Sequence, residues 1–328
     1  MEEFVVSKYT LIEVYIMVKE EMGKTFLDVM KDKGYNVREY VDLKDYTSLQ
    51  IGGPARFFSE PYHIEEIKEL ITTAKELQIP FFVLGNGSNV LVSDHGFDGL
   101  IIVTKTNMNT IEVSGTHIKA SAGAMLKDVC VRAYEESLTG LEFAYGIPAT
   151  IGGAVYMNAG AYGGEIKDVL LKCTYLSEDG EIHTMYKDEL NFSYRHSYFS
   201  DNKDIVLEAE FALDIGKPES IKEIMDDLLN RRKTKQPLEY PSAGSTFKRP
   251  EGNYASALIE QSGLKGFQHK NAMVSDKHAG FVINHNQASF GEFIELIEIV
   301  KEVVKTKTGY ELECEVRIIG EVKDSHNK

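Results

Sequence analysis

Apolar and polar positions repeat with two different periods along this chain, and the changes of period mark its elements. From residue 64 to 77 the apolar side chains Ile64, Ile67, Leu70, Ile71, Ala74 and Leu77 fall on one helical face, with Glu65, Glu66, Lys68 and Lys75 on others. That predicts an amphipathic helix, closed by Pro80. The apolar run 81–84 then reads as a short buried strand emptying into Gly85-Asn86-Gly87-Ser88-Asn89, and 90–92 as another strand. Further strands are expected at 100–104, 110–113 and 117–121, a helix from Leu126 closed by Gly140, and strands at 169–176, 181–185 and 205–213. The pattern resets near Ile215-Gly216-Lys217-Pro218, where Ser220 and Glu223 form a capping box for a helix bearing Ile221, Ile224, Met225, Leu228 and Leu229. A short helix ending at Gly263, strands around Met273 and 281–284, and a long helix 290–308 stopped by Gly309 follow. The segment 311–319 alternates cleanly, with Leu312, Cys314, Val316 and Ile318 on one side and Glu311, Glu313, Glu315 and Arg317 on the other.

The class is therefore α+β, and four segments are expected. Residues 1–44 form an N-terminal helical segment whose last helix runs near 25–33 and stops at Gly34. Residues 45–110 and 111–217 are two subdomains, and 218–328 a C-terminal domain whose strand 311–319 packs back toward the ligand site. A chain of 328 residues supports two or three such units. With 36 basic against 51 acidic side chains, a net −15, no general nucleic-acid footprint is expected, although a local basic pocket for an anion is compatible with it. Cys130, Cys173 and Cys314 are few and widely spaced, which favours a reducing compartment. The amino end fits neither a signal peptide nor a membrane span, so a cytoplasmic location is expected. No pair of histidines has metal-binding spacing, and no metal site is expected.

Candidate chemistry concentrates in glycine-rich stretches. Residues 146–165 hold six of the chain's 27 glycines, with Pro148 near the start and no charge before Glu165. Such a stretch is either a wall against which a ligand's phosphates or flat ring can lie close to the backbone, or a close-packed turn in an ordinary core. The loop 85–89 follows a strand, as phosphate-binding loops do, but Val90 begins a strand where a Rossmann helix would start. Gly23-Lys24-Thr25 mimics a phosphate loop but lacks its first glycine, since Val18 stands there. Arg231, Arg232, Lys233 and Lys235 suit either a helix C-terminus or a phosphate clamp. Taken singly, Tyr194-Arg195-His196-Ser197 and the pair Glu315 and Arg317 read as surface charge, and Ser245 lies in no nucleophile elbow.

Together these motifs resemble the flavin-dependent UDP-N-acetylenolpyruvoylglucosamine reductases (MurB) over residues 46–320. The likeness rests on I-G-G-P-A at 51, G-N-G-S-N-V-L-V-S-D at 85, G-I-P-A-T-I-G-G-A-V-Y-M-N-A-G-A-Y-G-G-E at 146, Y-R-H-S at 194, K-Q-P at 235, S-A-G-S-T-F-K at 242 and E-V-R-I-I-G at 315, in that order. The spacing from Arg195 to Ser245 is similar to that of the shorter subgroup, which lacks an extra substrate-capping loop with its tyrosine. Lys270-Asn271 and Ala257 depart from residues frequent in relatives.

The resemblance implies a two-part FAD-binding domain of the vanillyl-alcohol-oxidase type (PCMH) and a C-terminal α+β substrate domain. It implies FAD contacts at Tyr46, Gly85, Asn86, Gly87, Ser88, Asn89, Gly123, Gly146, Ile147, Pro148, Gly152 and Gly153. NADPH reduces the flavin, and UDP-N-acetylglucosamine enolpyruvate is then reduced to UDP-N-acetylmuramate for peptidoglycan, the two substrates using one pocket in turn on a monomer. Arg195 and Glu315 match the residues that polarise the substrate carboxylate, and Ser245 the proton donor. Tyr162, Arg232, Lys235, Lys248, Arg249 and Arg317 match substrate contacts. Two other readings stand beside this one: a flavin oxidase sharing only the FAD domain, and a sugar-nucleotide-binding protein without catalysis.

Overall fold

The computed structural model describes residues 11–320. The first described element is one helix, Leu11–Asp32, and Gly34 (φ 78°) turns the chain out of it. The expected stop at Gly34 is where the helix ends, and beyond it, still inside the segment 1–44 expected to be helical in character, Val37–Asp42 is a strand paired antiparallel with Pro54–Ser59. Its sequence, V-R-E-Y-V-D, has no clean alternation of charge with apolar residues, and the sheet edge, not local preference, decides its conformation. The pairing joins this strand to the first subdomain.

That subdomain is a four-stranded sheet in the order Val37–Asp42, Pro54–Ser59, Phe97–Val103, Phe81–Leu84, the last three parallel. Helix Ile64–Glu76 provides the crossover, with Ile67, Leu70, Ile71 and Ala74 buried as their spacing predicts. One face of the sheet packs on this helix and on Phe26 and Met30 of the first helix. The other face buries Ala55, Phe58, Ile101 and Val103 with Leu84, Val90, Val92 and Ile319. Phe81–Leu84 lies at the sheet's free edge and leads into the loop 85–89.

A second, wholly antiparallel sheet runs Ile182–Tyr186, Leu170–Leu176, Ile205–Ala212, His117–Ser121, Ile111–Ser114. Helices Leu126–Glu135 and Ile151–Tyr156 share its core, and the first ends well before Gly140. Helix Pro218–Lys235 begins on Pro218 at its first turn with Lys217 as a cap that makes no side-chain bond, so the expected Ser220–Glu223 capping box does not form. Its Ile221 and Met225 pack into this second core. The chain thus leaves the second subdomain only after the helix, later than the expected reset at 217.

The remainder, helix Ala255–Gln261, a three-stranded sheet (Gln268–His269, Ala272–Val274, Val282–Asn284) and helix Phe290–Thr308, has its own core. Ser289 and Glu292 cap the long helix reciprocally, and Gly309 (φ 77°) ends it. The final strand is shorter than expected, Arg317–Ile319, and pairs in parallel with Val90–Val92 of the first subdomain. Leu312 and Val316 are buried in alternation, but Ile318 is exposed and Ile319 buried, so the phase slips by one residue where the segment enters that pairing. No described helix is long and apolar enough to cross a membrane.

The first helix is an integral layer, since Phe26 is fully buried with its ring 5.2 Å from that of Phe57. Phe26→Ala should lower unfolding stability by about 3–5 kcal/mol, read from the urea midpoint at constant m-value. A loss below about 1 kcal/mol would mean the helix does not share the core.

Candidate functional site

The sheet edge, the glycine-rich helix and the C-terminal segment meet around one cavity of about 1510 Å³. That exceeds the 300–1,000 Å³ usual for a single small ligand. Its wall is built where backbones approach too closely for side chains. A Cβ on Gly85 would lie 2.2 Å from Thr150 Oγ1, and one on Gly87 (φ 62°) 2.1 Å from the Tyr46 carbonyl oxygen. Asn86 Nδ2 donates to the Pro148 carbonyl (2.7 Å), tying the loop to the second glycine stretch, and its Oδ1 accepts from Lys105 Nζ (2.6 Å). Within that stretch, Ile151 and Gly152 donate to the carbonyls of Ala124 and Ala122, which seats the N-terminal turn of helix Ile151–Tyr156 against the second sheet.

Beside the end of the loop, at Asn89, stands an ion pair. Arg195 Nε donates to Glu315 Oε1 at 2.6 Å, and its guanidinium also reaches the Gly160 carbonyl (3.3 Å). Arg195 occupies the left-handed region (φ 56°) in a turn closed between Ser193 and His196, and Asn158 Nδ2 donates to the Ser193 carbonyl (3.0 Å). The turn is held from below, so the side chain is aimed. Glu315 is nearly buried, its backbone N–H donates to Thr246 (2.8 Å), and its carbonyl accepts from Asn89 Nδ2 (3.1 Å). Burial pushes the Glu315 carboxyl above the ordinary range, and the neighbouring Arg195 only partly opposes this. Ser245 precedes Thr246, whose hydroxyl accepts from Val282 N (2.9 Å) and whose N–H donates to Gly280. Among the described residues the Ser245 hydroxyl has no hydrogen-bond partner, and it lines the cavity with Arg195 and Glu315. Three residues far apart in sequence therefore share one wall.

Of the residues expected from sequence, Gly85 to Asn89, Gly146, Ile147, Pro148, Gly152, Gly153, Arg195, Arg232, Ser245, Glu315 and Arg317 line the cavity. Arg317 stacks over the Tyr156 ring at 4.6 Å, and Arg232 lies against Gly146, where a Cβ would be 3.0 Å from its Cδ. Others stand behind or outside the wall. Tyr46 supports Gly87 through its carbonyl, and Gly123 packs on the Thr104 and Met108 carbonyls. Tyr162 is exposed at the tip of the hairpin Gly160–Ala161 and Gly164–Glu165. Lys235 is exposed, Lys248 is paired with Glu313, and Arg249 lies 4.6 Å over the Tyr254 ring. His196 pairs with Asp201 outside the cavity (3.0 Å). Sequence reasoning missed Thr150 and Gln236 as candidate site residues, and their cavity-lining oxygens Thr150 Oγ1 and Gln236 Oε1 are buried without a partner. Both lie inside motifs quoted for the resemblance, and that position was the available signal.

These orphaned oxygens, with glycines whose Cβ atoms would fill the cradle, fit a large polar cofactor held close to the backbone. Comparison with known proteins gives it a class. A family model described as "FAD binding domain" matches residues 55–186, and one described as "UDP-N-acetylenolpyruvoylglucosamine reductase, C-terminal domain" matches 236–319. The chain is 50% identical over 289 residues to the UDP-N-acetylenolpyruvoylglucosamine reductase of Clostridium novyi (strain NT), covering 88% of this chain and 94% of that one. It is 48% identical over 285 residues to the enzyme of the same name from Latilactobacillus sakei subsp. sakei (strain 23K), covering 87% and 94%. The crystal structure of UDP-N-acetylenolpyruvylglucosamine reductase (MurB) from Thermus caldophilus superposes with a TM-score of 0.76 at 36% identity, over 87% of this chain and all of that one. With that coverage and identity, and both family models matched in order, the chain belongs to the UDP-N-acetylenolpyruvoylglucosamine reductase family.

Proposed function

We propose that this protein uses NADPH, through FAD, to reduce UDP-N-acetylglucosamine enolpyruvate to UDP-N-acetylmuramate. The observation that carries the reading is the gathering of the Arg195–Glu315 pair and an unpartnered Ser245 in the same cavity as the loop 85–89 and the glycine stretch from Gly146. The family match over 236–319 stands against an oxidase sharing only the FAD domain.

FAD, when bound, supplies hydride chemistry, taking a hydride from NADPH and delivering one to the enolpyruvyl CH2 carbon. Gly85 to Asn89, Gly146 to Pro148, Thr150, Gly152 and Gly153 would hold it. Delivery of hydride to one carbon leaves negative charge on its neighbour and the attached carboxylate. Arg195 is positioned to hold that carboxylate, and a fixed cation facing developing charge contributes about 3 kcal/mol to transition-state stabilisation. Glu315, whose carboxyl is raised by burial, supplies a proton-bearing donor beside it. Ser245 gives its hydroxyl proton to the carbanion-like carbon. A serine serves as acid here because the acceptor is far more basic than a carboxylate, and such proton delivery contributes about 10²–10⁴ in rate.

Arg232 and Arg317 are suited to the anionic diphosphate or carboxylate. Lys248 and Arg249 would reach the substrate only by leaving Glu313 and the Tyr254 ring, and Lys235 and Tyr162 only from the rim. A cavity larger than one ligand needs supports NADPH and the sugar nucleotide using it in turn. We further assign a cytoplasmic, monomeric enzyme, a reading supported by the sparse, unpaired cysteines and by the gathering of Arg195, Ser245 and Glu315 within one chain.

Three outcomes test this. Replacing Ser245 by alanine should leave flavin bleaching by NADPH intact in anaerobic stopped flow, while reoxidation by the enolpyruvyl substrate slows by about two to four decades; equal loss in both halves would remove Ser245 from the acid role. A carboxyl with a raised pKa keeps its proton above the ordinary carboxylate range and loses it as pH rises, so the substrate half-reaction should fall on that alkaline limb. In Glu315→Gln the limb should vanish, and its persistence would assign it to another group. Gly87→Ala, which places a methyl 2.1 Å from a backbone oxygen at positive φ, should yield folded but colourless protein; stoichiometric FAD in that variant would remove the loop from the cofactor site.

A further inference from the structure

Gln236 is the one side chain on the cavity wall whose chemistry the reaction above leaves unused although it is costly to keep there. It follows helix Pro218–Lys235 in extended backbone (φ −112°, ψ 146°). Its main chain is committed, the N–H donating to the Arg232 carbonyl (2.9 Å) and the carbonyl accepting from Leu238 N (2.9 Å). Among the described residues its side-chain amide has no hydrogen-bond partner, and Oε1 is shut away from the protein surface. A buried amide oxygen without a partner is destabilising, so a ligand that supplies a donor is the economical explanation.

The shape of the amide limits that ligand. It presents an acceptor and a donor side by side in one plane, and its full complement is a ring edge carrying N–H next to C=O. A phosphate or carboxylate would satisfy only the nitrogen and leave the oxygen stranded. Arg232, one turn earlier, already offers the anion site on this wall, while Leu229, Ile147 and Tyr240 provide flat apolar surface suited to a planar heterocycle. We infer that Gln236 is a positioning residue that reads the imide edge, C=O next to N–H, of a bound pyrimidinedione ring. Two molecules of the proposed reaction carry that edge, the flavin ring of FAD and the uracil of the sugar nucleotide, so the inference rests on that reading.

N3-methylation removes the imide proton from either source and separates the two. FAD and N3-methyl-FAD are compared for uptake by the full-length apoprotein through quenching of flavin fluorescence. UDP and N3-methyl-UDP are compared for binding to the holoprotein by calorimetry. The wild type should prefer the unmethylated member of one pair by about tenfold or more, and Gln236→Leu should bring that same ratio close to one. Collapse in the flavin pair assigns the residue to FAD, and collapse in the uridine pair to the sugar nucleotide. Ratios unchanged by the substitution in both pairs, or absent from the wild type, would overturn the inference, including the case in which a sugar hydroxyl satisfies the amide. Should Gln236→Leu fail to fold, Gln236→Met, similar in length and flexibility, repeats the comparison. Failure of the wild type to take up FAD at all would instead refute the proposed function.

Discussion

The site depends on the return of the chain's end to its beginning. Arg317–Ile319 pairs in parallel with Val90–Val92, and Asn89 is the hinge of that pairing, accepting from Arg317 N (3.0 Å) through its carbonyl while its side-chain amide holds the Glu315 carbonyl. Two residues before the paired strand, Glu315 is thereby set beside the loop that follows Phe81–Leu84, and its own N–H fixes Thr246 and so the position of Ser245. This three-residue ladder adds to the contacts of Leu49, Ile51 and Leu91 with the C-terminal core, and it is the link that carries Glu315 directly to the flavin-domain loop. Burying Ile319 with Phe58 and Ile101 gives the ladder an apolar anchor that its few hydrogen bonds alone would not provide.

Close approach of backbones is the second constraint. Gly85 and Gly87 are needed because Thr150 and Tyr46 stand where their side chains would be, so the loop is pressed against the second subdomain and the 46–48 turn at once. Ser48 completes the arrangement, its N–H donating to Gly87 and its hydroxyl to the Ser242 carbonyl (2.6 Å). One serine therefore couples the loop 85–89 to the segment that carries Ser245.

Much of this was legible in the sequence where local physics decides. The helix at 64–76 and the glycine-stopped helix at 290–308 are set by their own periodicity and end signals, and the structure has both. The elements misread are those that neighbours decide. Val37–Asp42 is a strand because an edge was available, and the Ser220–Glu223 cap is absent because Pro218 starts the helix earlier. The alternation at 311–319 was correct up to Val316 and then slipped, since the parallel pairing demands a different phase from the domain core. In the site, motif glycines were readable because a missing side chain is visible in sequence. Thr150 and Gln236 were not, because their significance is an unmet hydrogen bond, which exists only in three dimensions.

Under the proposed function, the electrostatics of the Arg195–Glu315 pair suit proton chemistry better than a purely structural bridge would. A partly buried ion pair gains from attraction at 2.6 Å but loses hydration on both members, and the balance is often near zero. Here burial outweighs the arginine in its effect on Glu315, whose carboxyl is pushed upward where a simple salt bridge would have held it down. The Arg195 guanidinium lines the cavity beside this carboxyl. An incoming carboxylate can then take the place of the glutamate as the arginine's anionic partner, with Glu315 left as a donor beside it. The same burial that weakens the pair as a stabilising contact is thus what leaves both groups available to a substrate.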